Sequence, residues 1–367
     1  MAAQSETQIE WYTITCGTCT FTLPNRYQEI CPIGKGASGA VIRAKDTETG
    51  QYVAIKKLLR PFHNSDRAKQ TYRELKLLMY LYHPDIDIIQ LYNVFTPEKN
   101  VDDFSTLYFV FNFVDYNLRQ VIKGGKPFSE DHIKQIIYSL LRALKYIHSA
   151  YIIHRDLKPE NIGIDRDSNV AILDFGLARI ASDGIQTGYV VTRWWRAPEV
   201  FINWERYDEK LDIWSIGCIM AELIVLQPIF PGQGYLDQLD KIFDIIGTPD
   251  ITTLHELATE GVDLLDRLLS FDPRQRPTAQ EALAHPFLKT YHSPEDEPTA
   301  NPVVDEHQDA EYSVAKWKYP MSKTISSFIY LLQMFIIVLA IVWKMVQDFV
   351  PPQFRINDNP NTIHETI

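Results

Sequence analysis

Three short segments near the middle of the chain hold an unusual density of chemically active side chains. Residues 154–161 read His-Arg-Asp-Leu-Lys-Pro-Glu-Asn, residues 174–176 read Asp-Phe-Gly, and residues 197–199 read Ala-Pro-Glu. An isolated His-Arg-Asp is usually a turn, but three such segments in this order and spacing are not expected by chance. The oxygens of Asn161 and Asp174 are hard ligands of the kind that suits Mg2+. The segments therefore predict one catalytic site.

A glycine-rich segment near the N-terminus has the pattern of a phosphate-binding loop. Residues 34–41 read Gly-Lys-Gly-Ala-Ser-Gly-Ala-Val, and glycines let backbone N–H groups approach phosphate oxygens that a β-carbon would obstruct. Alone the pattern is weak, because glycine-rich hairpins and dinucleotide-binding loops share it. A dinucleotide loop continues directly into a helix, whereas residues 41–44 continue as a strand and are followed by Val-Ala-Ile-Lys at 53–56. We therefore expect ATP at Ile33, Gly34, Lys35, Gly36, Ala37, Ser38, Gly39, Ala40, Val41, Lys56 and Glu74.

The elements that must position these residues fall into a β-rich part and a helical part. Residues 27–57 alternate in polarity around a turn-like Thr-Glu-Thr-Gly at 47–50, which predicts antiparallel hairpins. Helical periodicity over 66–81 and a buried strand over 107–114 complete this part. From Ser129 onward the apolar residues recur on one helical face, and residues 212–226 are almost continuously apolar. The predicted fold class is α+β.

Taken together, these motifs resemble the protein kinases, and the resemblance implies a bilobal fold with a small antiparallel β-rich N-lobe and a larger α-helical C-lobe. It also implies the roles of the site residues. Asp156 accepts the proton of the substrate hydroxyl, Lys158 steadies the γ-phosphate of ATP, and Asn161 with Asp174 holds Mg2+.

Several ion pairs and hydrogen bonds follow from this assignment. A buried ammonium such as that of Lys56 needs a carboxylate partner, and Glu74 on the following helix is the natural candidate. The alternative for Glu74 is an exposed helix residue, since arginine and lysine flank it. Asp212 is expected to accept hydrogen bonds from the backbone of the catalytic loop. Glu199 and Arg276 are expected to form a buried ion pair.

The segment Thr187-Gly188-Tyr189, before Val-Val-Thr-Arg-Trp-Trp-Arg at 190–196, resembles the stress-activated branch of the mitogen-activated protein kinases. The resemblance covers about residues 24–302 and implies a stress-responsive cascade. In that family an upstream dual-specificity kinase phosphorylates the threonine and the tyrosine, and the active enzyme phosphorylates Ser or Thr followed by Pro. The arginines expected to pair with the two phosphates are Arg73, Arg155, Arg179, Arg193 and Arg196.

The chain departs from the family pattern at several places. Gln70 stands where the family has a further arginine, Phe111 is bulkier than the usual threonine at the back of the ATP pocket, and Trp195 replaces a tyrosine. A long family segment is reduced to residues 250–261, which should expose apolar surface. An alternative function is therefore a catalytically impaired splice-type variant that acts as a docking scaffold.

The net charge limits the kinds of partner that the chain can bind, and the cysteine content indicates its cellular compartment. The formal net charge of -11 argues against direct binding of nucleic acid. Four scattered cysteines and no apolar signal segment indicate the cytoplasm and the nucleus. Cys16 and Cys19 have zinc-ligand spacing without further ligands, so two ordinary thiols are the favoured interpretation. Glu295 and Asp296 resemble the family's docking site for basic peptides of activators, substrates and phosphatases; a solvated tail is the alternative.

The last part of the chain contains a 19-residue apolar stretch, residues 325–343, of which twelve residues are Leu, Ile, Phe or Val. Nineteen helical residues could cross the roughly 30 Å of a bilayer interior. Three interpretations stay open: a membrane tail anchor, a helix packed on the kinase, and an insertion of sequence not normally translated. The resulting division of the chain is 1–23 N-terminal extension, 24–111 N-lobe, 112–290 hinge and C-lobe with activation loop 174–199, 291–324 acidic segment, 325–343 apolar helix and 344–367 tail.

Overall fold

A five-stranded antiparallel sheet forms most of the N-terminal lobe. The protein is described here from a computed structural model that covers residues 9–36, 39–181, 193–202, 207–246 and 259–349, with side chains to residue 334. The strand order is β3-β4-β5-β7-β6, and one helix, α1, packs on the sheet. The bounds are β3 Tyr27–Lys35, β4 Gly39–Asp46, β5 Tyr52–Leu58, α1 Ser65–Tyr80, β6 Leu91–Phe95 and β7 Tyr108–Asn112.

The register of this sheet divides its side chains between a small core and the opposite face. Ile42 on β4 lies opposite Ile55 on β5, and both side chains are buried. Because successive side chains alternate across a strand, their neighbours point the other way. Val41 therefore shares its face with its partner Lys56. The glycine-rich turn and the lysine are thus presented on one side of the sheet.

The N-terminal extension forms a hairpin that belongs to the same small core. Strands β1 (Trp11–Cys16) and β2 (Cys19–Pro24) pair over six residues each. Gly17 takes a φ of +60°, a conformation that suits glycine in such a tight turn. Phe21 and Leu23 are buried with the side chains of the five-stranded sheet. Strands β1 and β2 therefore pack as part of the lobe.

The C-terminal lobe is built mainly from helices around one core. Helix α3 (Glu130–Ser149) is capped by Ser129, whose side chain accepts a hydrogen bond from the His132 N–H, and it buries the predicted apolar face. Helix α5 (Lys210–Val225) is buried along most of its length. The other helices are α2 Leu118–Lys123, α4 Glu199–Ile202, α6 Tyr235–Ile246, α7 Thr259–Leu268 and α8 Ala279–Leu283.

Two small antiparallel sheets flank the segments 154–161 and 174–176. The ladder orders are β11-β10-β8 and β12-β9, with bounds β8 Tyr116–Asn117, β9 Ile152–Ile153, β10 Ile162–Ile164, β11 Val170–Ile172 and β12 Arg179–Ile180. The segments 154–161 and 174–176 lie between these strands. The bilobal α+β architecture predicted from the sequence is confirmed.

The shortened region between α6 and α7 lies mostly outside the described residues, which stop at 246 and resume at 259. Beside it, Leu236 and Phe243 on α6 are 78% and 50% exposed. Apolar side chains are thus exposed next to the shortened segment, as expected from the loss of a covering element.

The acidic segment after residue 290 returns to the N-lobe. At the C-lobe, the Val303 N–H donates to the carbonyl of Ala150, the residue after α3, over 3.1 Å. At the N-lobe, the Tyr80 hydroxyl of α1 donates to the Asn301 carbonyl over 2.9 Å. Helix α9 (Val314–Phe349) then lies along α1, with Trp317 fully buried. Backbone groups of this segment therefore hold it on the kinase, although Glu295 and Asp296 within it are exposed.

The beginning of the 19-residue apolar stretch belongs to the kinase core. Ile325 and Phe328 are 8% and 6% exposed and pack with the core side chains, whereas Tyr330 and Leu331 are 61% and 60% exposed. These contacts favour the packed helix for the first turn. Among the helices of the described residues, none combines the length and apolar content needed to cross a membrane. Beyond residue 334 the side chains are not described, so an anchor there stays a hypothesis.

Trp317 provides a test of this packing. Its ring centroid lies 5.3 Å from that of Tyr72 on α1, and its indole N–H has no hydrogen-bond partner among the described residues, so packing alone holds it. Trp317→Ala should lower the free energy of unfolding by about 3–5 kcal/mol, measured by urea denaturation. Tyr319→Ala, on the same helix with a side chain 61% exposed, is the matched control and should change it by less than about 0.5 kcal/mol. Equal effects would show that α9 is not docked.

Candidate active site

A buried lysine lies at the meeting point of strand β5, helix α1 and the Asp-Phe-Gly segment. Lys56 Nζ is 2.7 Å from Glu74 Oε1 and 3.3 Å from Asp174 Oδ1. Lys56 and Glu74 are both buried, so the interpretation of Glu74 as an exposed helix residue is wrong and the ion pair is present. One ammonium group thus links three elements.

The electrostatics keep this lysine charged. Burial by itself would lower the pKa of Lys56, but the charges of Asp174 and Glu74 raise it above the ordinary value. The charge of Lys56 in turn lowers the pKa of Asp174, against the effect of burial. The site therefore holds an ammonium and an ionised carboxylate side by side at neutral pH, as binding of phosphate and a cation would require.

The catalytic loop brings Asp156, Lys158 and Asn161 together. Lys158 Nζ donates to Asp156 Oδ2 over 2.6 Å, and Asn161 Nδ2 donates to the same oxygen over 2.9 Å and to the Asp156 carbonyl over 2.8 Å. The amide and the ammonium fix the orientation of the carboxylate. The position of the Asp156 carboxylate is thereby fixed by its neighbours within the loop.

Asp212, at the start of α5, holds the backbone of this loop by hydrogen bonds. Its Oδ2 accepts the His154 N–H over 2.8 Å and its Oδ1 accepts the Arg155 N–H over 2.9 Å. Arg155 has a φ of +73°, a strained conformation for a non-glycine residue that persists only where its surroundings enforce it. Burial opposes ionisation of Asp212, yet the hydrogen bond from His148 and those from the backbone lower its pKa. The predicted structural role of Asp212 is confirmed.

His154 connects the loop to the Asp-Phe-Gly segment. Its Nε2 lies 3.0 Å from the Leu173 carbonyl, and its Nδ1 accepts the Asp156 N–H over 3.3 Å. These partners fit a neutral imidazole with its proton on Nε2. The ring also packs edge-on against Phe175, with centroids 5.0 Å apart. The two catalytic segments therefore hold each other in place.

The glycine-rich turn joins β3 to β4 above Lys56. The Gly36 N–H donates to the Gly39 carbonyl over 2.8 Å, and a β-carbon at Gly39 would lie 2.5 Å from the Lys57 carbonyl oxygen, so that position requires glycine. A β-carbon at Gly34 or Gly36 would meet nothing within 4 Å. Packing within the protein therefore does not require glycine at these two positions, which agrees with a ligand that approaches the backbone there. Ala37 and Ser38 lie outside the described residues.

The oxygen donors at the site suit Mg2+. Asn161 uses its amide nitrogen to hold Asp156, which leaves its carbonyl oxygen to act as a ligand. The Asp174 carboxylate is ionised beside it, and its backbone φ of +57° is another enforced conformation. One amide oxygen and one carboxylate form the kind of incomplete set that Mg2+ completes with phosphate oxygens and water.

The arginines predicted to receive the phosphates come together around Tyr207, a residue that sequence reasoning missed. The Arg155 guanidinium lies over the Tyr207 ring at 5.5 Å, and Arg179 and Arg196 lie within electrostatic reach of the same tyrosine. Burial, and next the charge of Arg155, lower the pKa of Arg73. Four of the five arginines therefore cluster.

Arg193, the fifth, lies beside the cluster with its guanidinium 4.8 Å from the centre of the Tyr235 ring. Arg196 interacts electrostatically with the same tyrosine. Thr187 and Tyr189, the predicted phosphorylation sites, lie outside the described residues. The described residues therefore include the arginine cluster and neither of the two side chains that would carry the phosphates.

A buried carboxylate in α5 is a second feature that the sequence did not reveal. Glu222 accepts a hydrogen bond from Trp195 Nε1 over 2.9 Å and one from Arg119. The tryptophan that departs from the family pattern is thus bonded to the helix behind it. The available signal was a glutamate within an otherwise apolar helix, since such a residue needs a partner when buried.

Glu199 and Arg276 form the predicted buried ion pair. The distances are 2.6 Å from Arg276 Nη1 to Glu199 Oε1 and 2.8 Å from Nη2 to Oε2, a bidentate geometry. Arg276 also donates to the carbonyls of Ser270 and Phe271. The pair fixes the end of the activation loop to the helical lobe.

The acidic residues proposed for docking divide into two kinds. Glu295 and Asp296 are exposed on a short turn after α8. Glu297 is buried and bonded to His292 over 2.7 Å and to Lys145 over 3.3 Å. Glu297 is therefore structural, and two exposed carboxylates remain for a partner.

Comparison with known proteins agrees with this geometry. The family model for the protein kinase domain matches residues 27–288. Mitogen-activated protein kinase 14 of Xenopus laevis is 41% identical over 334 residues, covering 84% of this chain and 91% of the relative. Mitogen-activated protein kinase 12 of Mus musculus is 44% identical over 329 residues, covering 82% and 89%. Mitogen-activated protein kinase pmk-1 of Caenorhabditis elegans is 41% identical over 346 residues, covering 87% and 90%.

The chain therefore belongs to the protein kinases, enzymes that use ATP, and within them to the mitogen-activated protein kinases. It is a serine/threonine kinase of the stress-activated branch. Membership of a mitogen-activated kinase cascade implies an upstream activator and protein substrates. The resemblance drawn from the sequence motifs is confirmed.

The Glu199–Arg276 pair gives a stability test with an internal control. Arg276→Met leaves a buried carboxylate without its partner and should lower the free energy of unfolding by about 3–5 kcal/mol, measured by denaturant titration. Arg274 is paired with Asp272 at 2.7 Å, but its side chain is 85% exposed, so Arg274→Met should cost less than about 1 kcal/mol. A small effect at both positions would contradict a buried, energetically coupled pair.

Proposed function

We propose that this chain transfers the γ-phosphoryl group of ATP, with Mg2+, to Ser or Thr followed by Pro in protein substrates. Asp156 accepts the proton of the acceptor hydroxyl, and Lys158 steadies the γ-phosphate. Lys56 neutralises charge on the α- and β-phosphates, and Asn161 and Asp174 are the side chains that would hold Mg2+. When bound, the metal neutralises charge that develops on the phosphate oxygens. The glycine-rich turn covers the nucleotide.

The observation that carries this proposal is the three-way contact of Lys56, Glu74 and Asp174. Phosphoryl transfer depends mainly on positioning and charge stabilisation, because little covalent chemistry falls to the protein. The 2.7 Å contact to Glu74 places helix α1 against the site. This contact therefore supports the proposed positioning of the phosphates.

Regulation is proposed to follow from phosphorylation of Thr187 and Tyr189 by an upstream dual-specificity mitogen-activated protein kinase kinase. The arginine cluster around Tyr207 supports this, because Arg73 comes from α1, Arg155 from the catalytic loop and Arg179 from β12. A phosphate bound among them would join both lobes by charge-assisted hydrogen bonds. Arg193 and Arg196 are proposed to serve the phosphate on Tyr189.

A catalytically impaired docking scaffold is the second candidate. The exposed Leu236 and Phe243 beside the shortened 250–261 region favour it, because exposed apolar surface lowers solubility and attracts partners. The intact site favours the enzyme. We place the protein in the cytoplasm and the nucleus; membrane contact through 325–343 stays a hypothesis for the residues beyond 334.

Replacement of the proposed proton acceptor distinguishes the two functions. Asp156→Asn, in protein phosphorylated on Thr187 and Tyr189, should lower kcat for a Ser-Pro peptide by about 10²–10⁴-fold. The Kd for MgATP should change little, because Asp156 does not contact the nucleotide in the proposed mechanism. Asp167→Asn, an exposed aspartate on a neighbouring turn, is the control and should retain full activity. A wild type that binds MgATP but transfers no phosphate would favour the scaffold.

The acidic turn is proposed to dock basic peptides of activators, substrates and phosphatases. Glu295 and Asp296 are exposed, while the neighbouring Glu297 fixes the turn through Lys145 and His292. A rigid turn that presents two carboxylates suits electrostatic recognition, which acts mainly on the association rate.

Charge reversal at the turn tests this surface. Glu295→Lys with Asp296→Lys should slow association of a basic docking peptide about tenfold at low salt and less at 0.5 M salt, where charges are screened. Stopped-flow fluorescence measures both rates. Glu306→Lys with Asp309→Lys, at two exposed carboxylates of the same acidic segment, makes the same change in net charge and is the control. Equal slowing by the control would assign the effect to overall charge.

A further inference from the structure

Gln70, one turn before Glu74 on helix α1, bonds directly to the Asp-Phe-Gly segment. Its Nε2 donates to the Gly176 carbonyl over 2.7 Å. Its Oε1 accepts a hydrogen bond from Arg67 Nη1 over 3.1 Å. The amide is therefore oriented from one side and attached to the metal-binding segment on the other. This is the position at which the chain carries glutamine in place of the family's arginine.

The bond is made where α1 and the metal-binding segment are closest. A β-carbon at Gly176 would lie 3.1 Å from Asp174 Oδ1, 3.6 Å from Glu74 Oε2 and 3.8 Å from Gln70 Nε2. The Gly176 N–H also donates to Asp174 Oδ1 over 3.3 Å. Both backbone groups of Gly176 are thus used, one by the metal ligand and one by the helix.

The Gln70 amide carries no charge, and it therefore adds no repulsion to the nearby arginines. Burial and the charge of Arg155 already lower the pKa of Arg73, the next residue of α1 on this side. Another cation on the same helix face would add repulsion to the cluster until an anion arrives. A glutamine adds no charge, so its bond to Gly176 does not depend on phosphate.

We propose that Gln70 is a positioning residue that holds α1 against the Asp-Phe-Gly segment before the activation loop is phosphorylated. The proposal rests on the proposed function, because it assigns the glutamine to the regulation of the same site. Through α1 the amide keeps Glu74 beside Lys56, so the unphosphorylated enzyme retains affinity for MgATP and basal activity. After phosphorylation, the arginine–phosphate contacts hold the same helix and the amide becomes redundant.

The test compares one substitution in two forms of the full-length protein. Gln70→Met keeps the length and volume of the side chain and removes the hydrogen bonds. In the unphosphorylated form it should raise the Kd for MgATP and lower basal peptide phosphorylation by about tenfold, the scale of a hydrogen bond to a buried backbone group. In the form phosphorylated on Thr187 and Tyr189, both quantities should change by less than about twofold.

Two further variants separate positioning from general destabilisation. Gln280→Met, at an exposed position on α8, should affect neither form. Gln70→Arg should lower basal activity and increase the gain on phosphorylation, because it adds a cation that only a phosphate satisfies. Equal losses for Gln70→Met in both forms would overturn the proposal, as would no loss in the unphosphorylated form.

Hydrogen exchange gives a readout that does not need catalysis. Amides of Ser65–Tyr80 in unphosphorylated Gln70→Met should exchange faster than in wild type, and those of Glu130–Ser149 in the C-lobe should not. Unchanged exchange in α1 would contradict the tether even if activity fell. If wild type bound no MgATP and phosphorylated no peptide in either form, the proposed function would fail, and exchange would still decide the tether.

Discussion

The contact of Lys56 with Glu74 and Asp174 is the constraint on which the rest of the structure depends. It joins the sheet, helix α1 and the Asp-Phe-Gly segment through one ammonium group. A buried ion pair is costly to form, and removing one partner leaves an uncompensated charge. The arrangement therefore persists only because neighbouring elements hold it, and much of the fold can be understood as that support.

Support for the catalytic loop comes from the C-lobe. Asp212 is fully buried and accepts backbone N–H groups from His154 and Arg155. These bonds allow Arg155 to keep a positive φ, which turns the loop so that Asp156 meets Asn161 and Lys158. A carboxylate that never touches substrate is thus as necessary for the geometry as the residues that do. The strain is local, and helix α5 resists it because its core packing is extensive.

Sequence motifs predicted the site residues within short segments and some pairs between distant segments, such as Glu199 with Arg276, but the places of Tyr207 and Trp317 escaped them. Lys56, Asp156 and Asp174 were identified because their neighbours along the chain are diagnostic. Tyr207 was not, because its place among the arginines depends on folding that brings it to Arg155 and Arg179, which lie 52 and 28 positions earlier in the chain. Trp317 has no diagnostic neighbours along the chain, yet it is fully buried on α1, since the acidic segment before it carries the chain back to the N-lobe.

Helix α1 receives contacts from the lysine of the site, from the Asp-Phe-Gly segment and from α9. Glu74 meets the site, Gln70 meets Gly176, and Tyr72 packs against Trp317 of α9. Because α9 also inserts Ile325 and Phe328 into the core, a force that displaces α9 must act on α1 and hence on the Lys56 pair. The apolar stretch is therefore connected to the catalytic site through α1, whatever surrounds its far end. Its first turn cannot leave the kinase without disturbing the helix that completes the active arrangement.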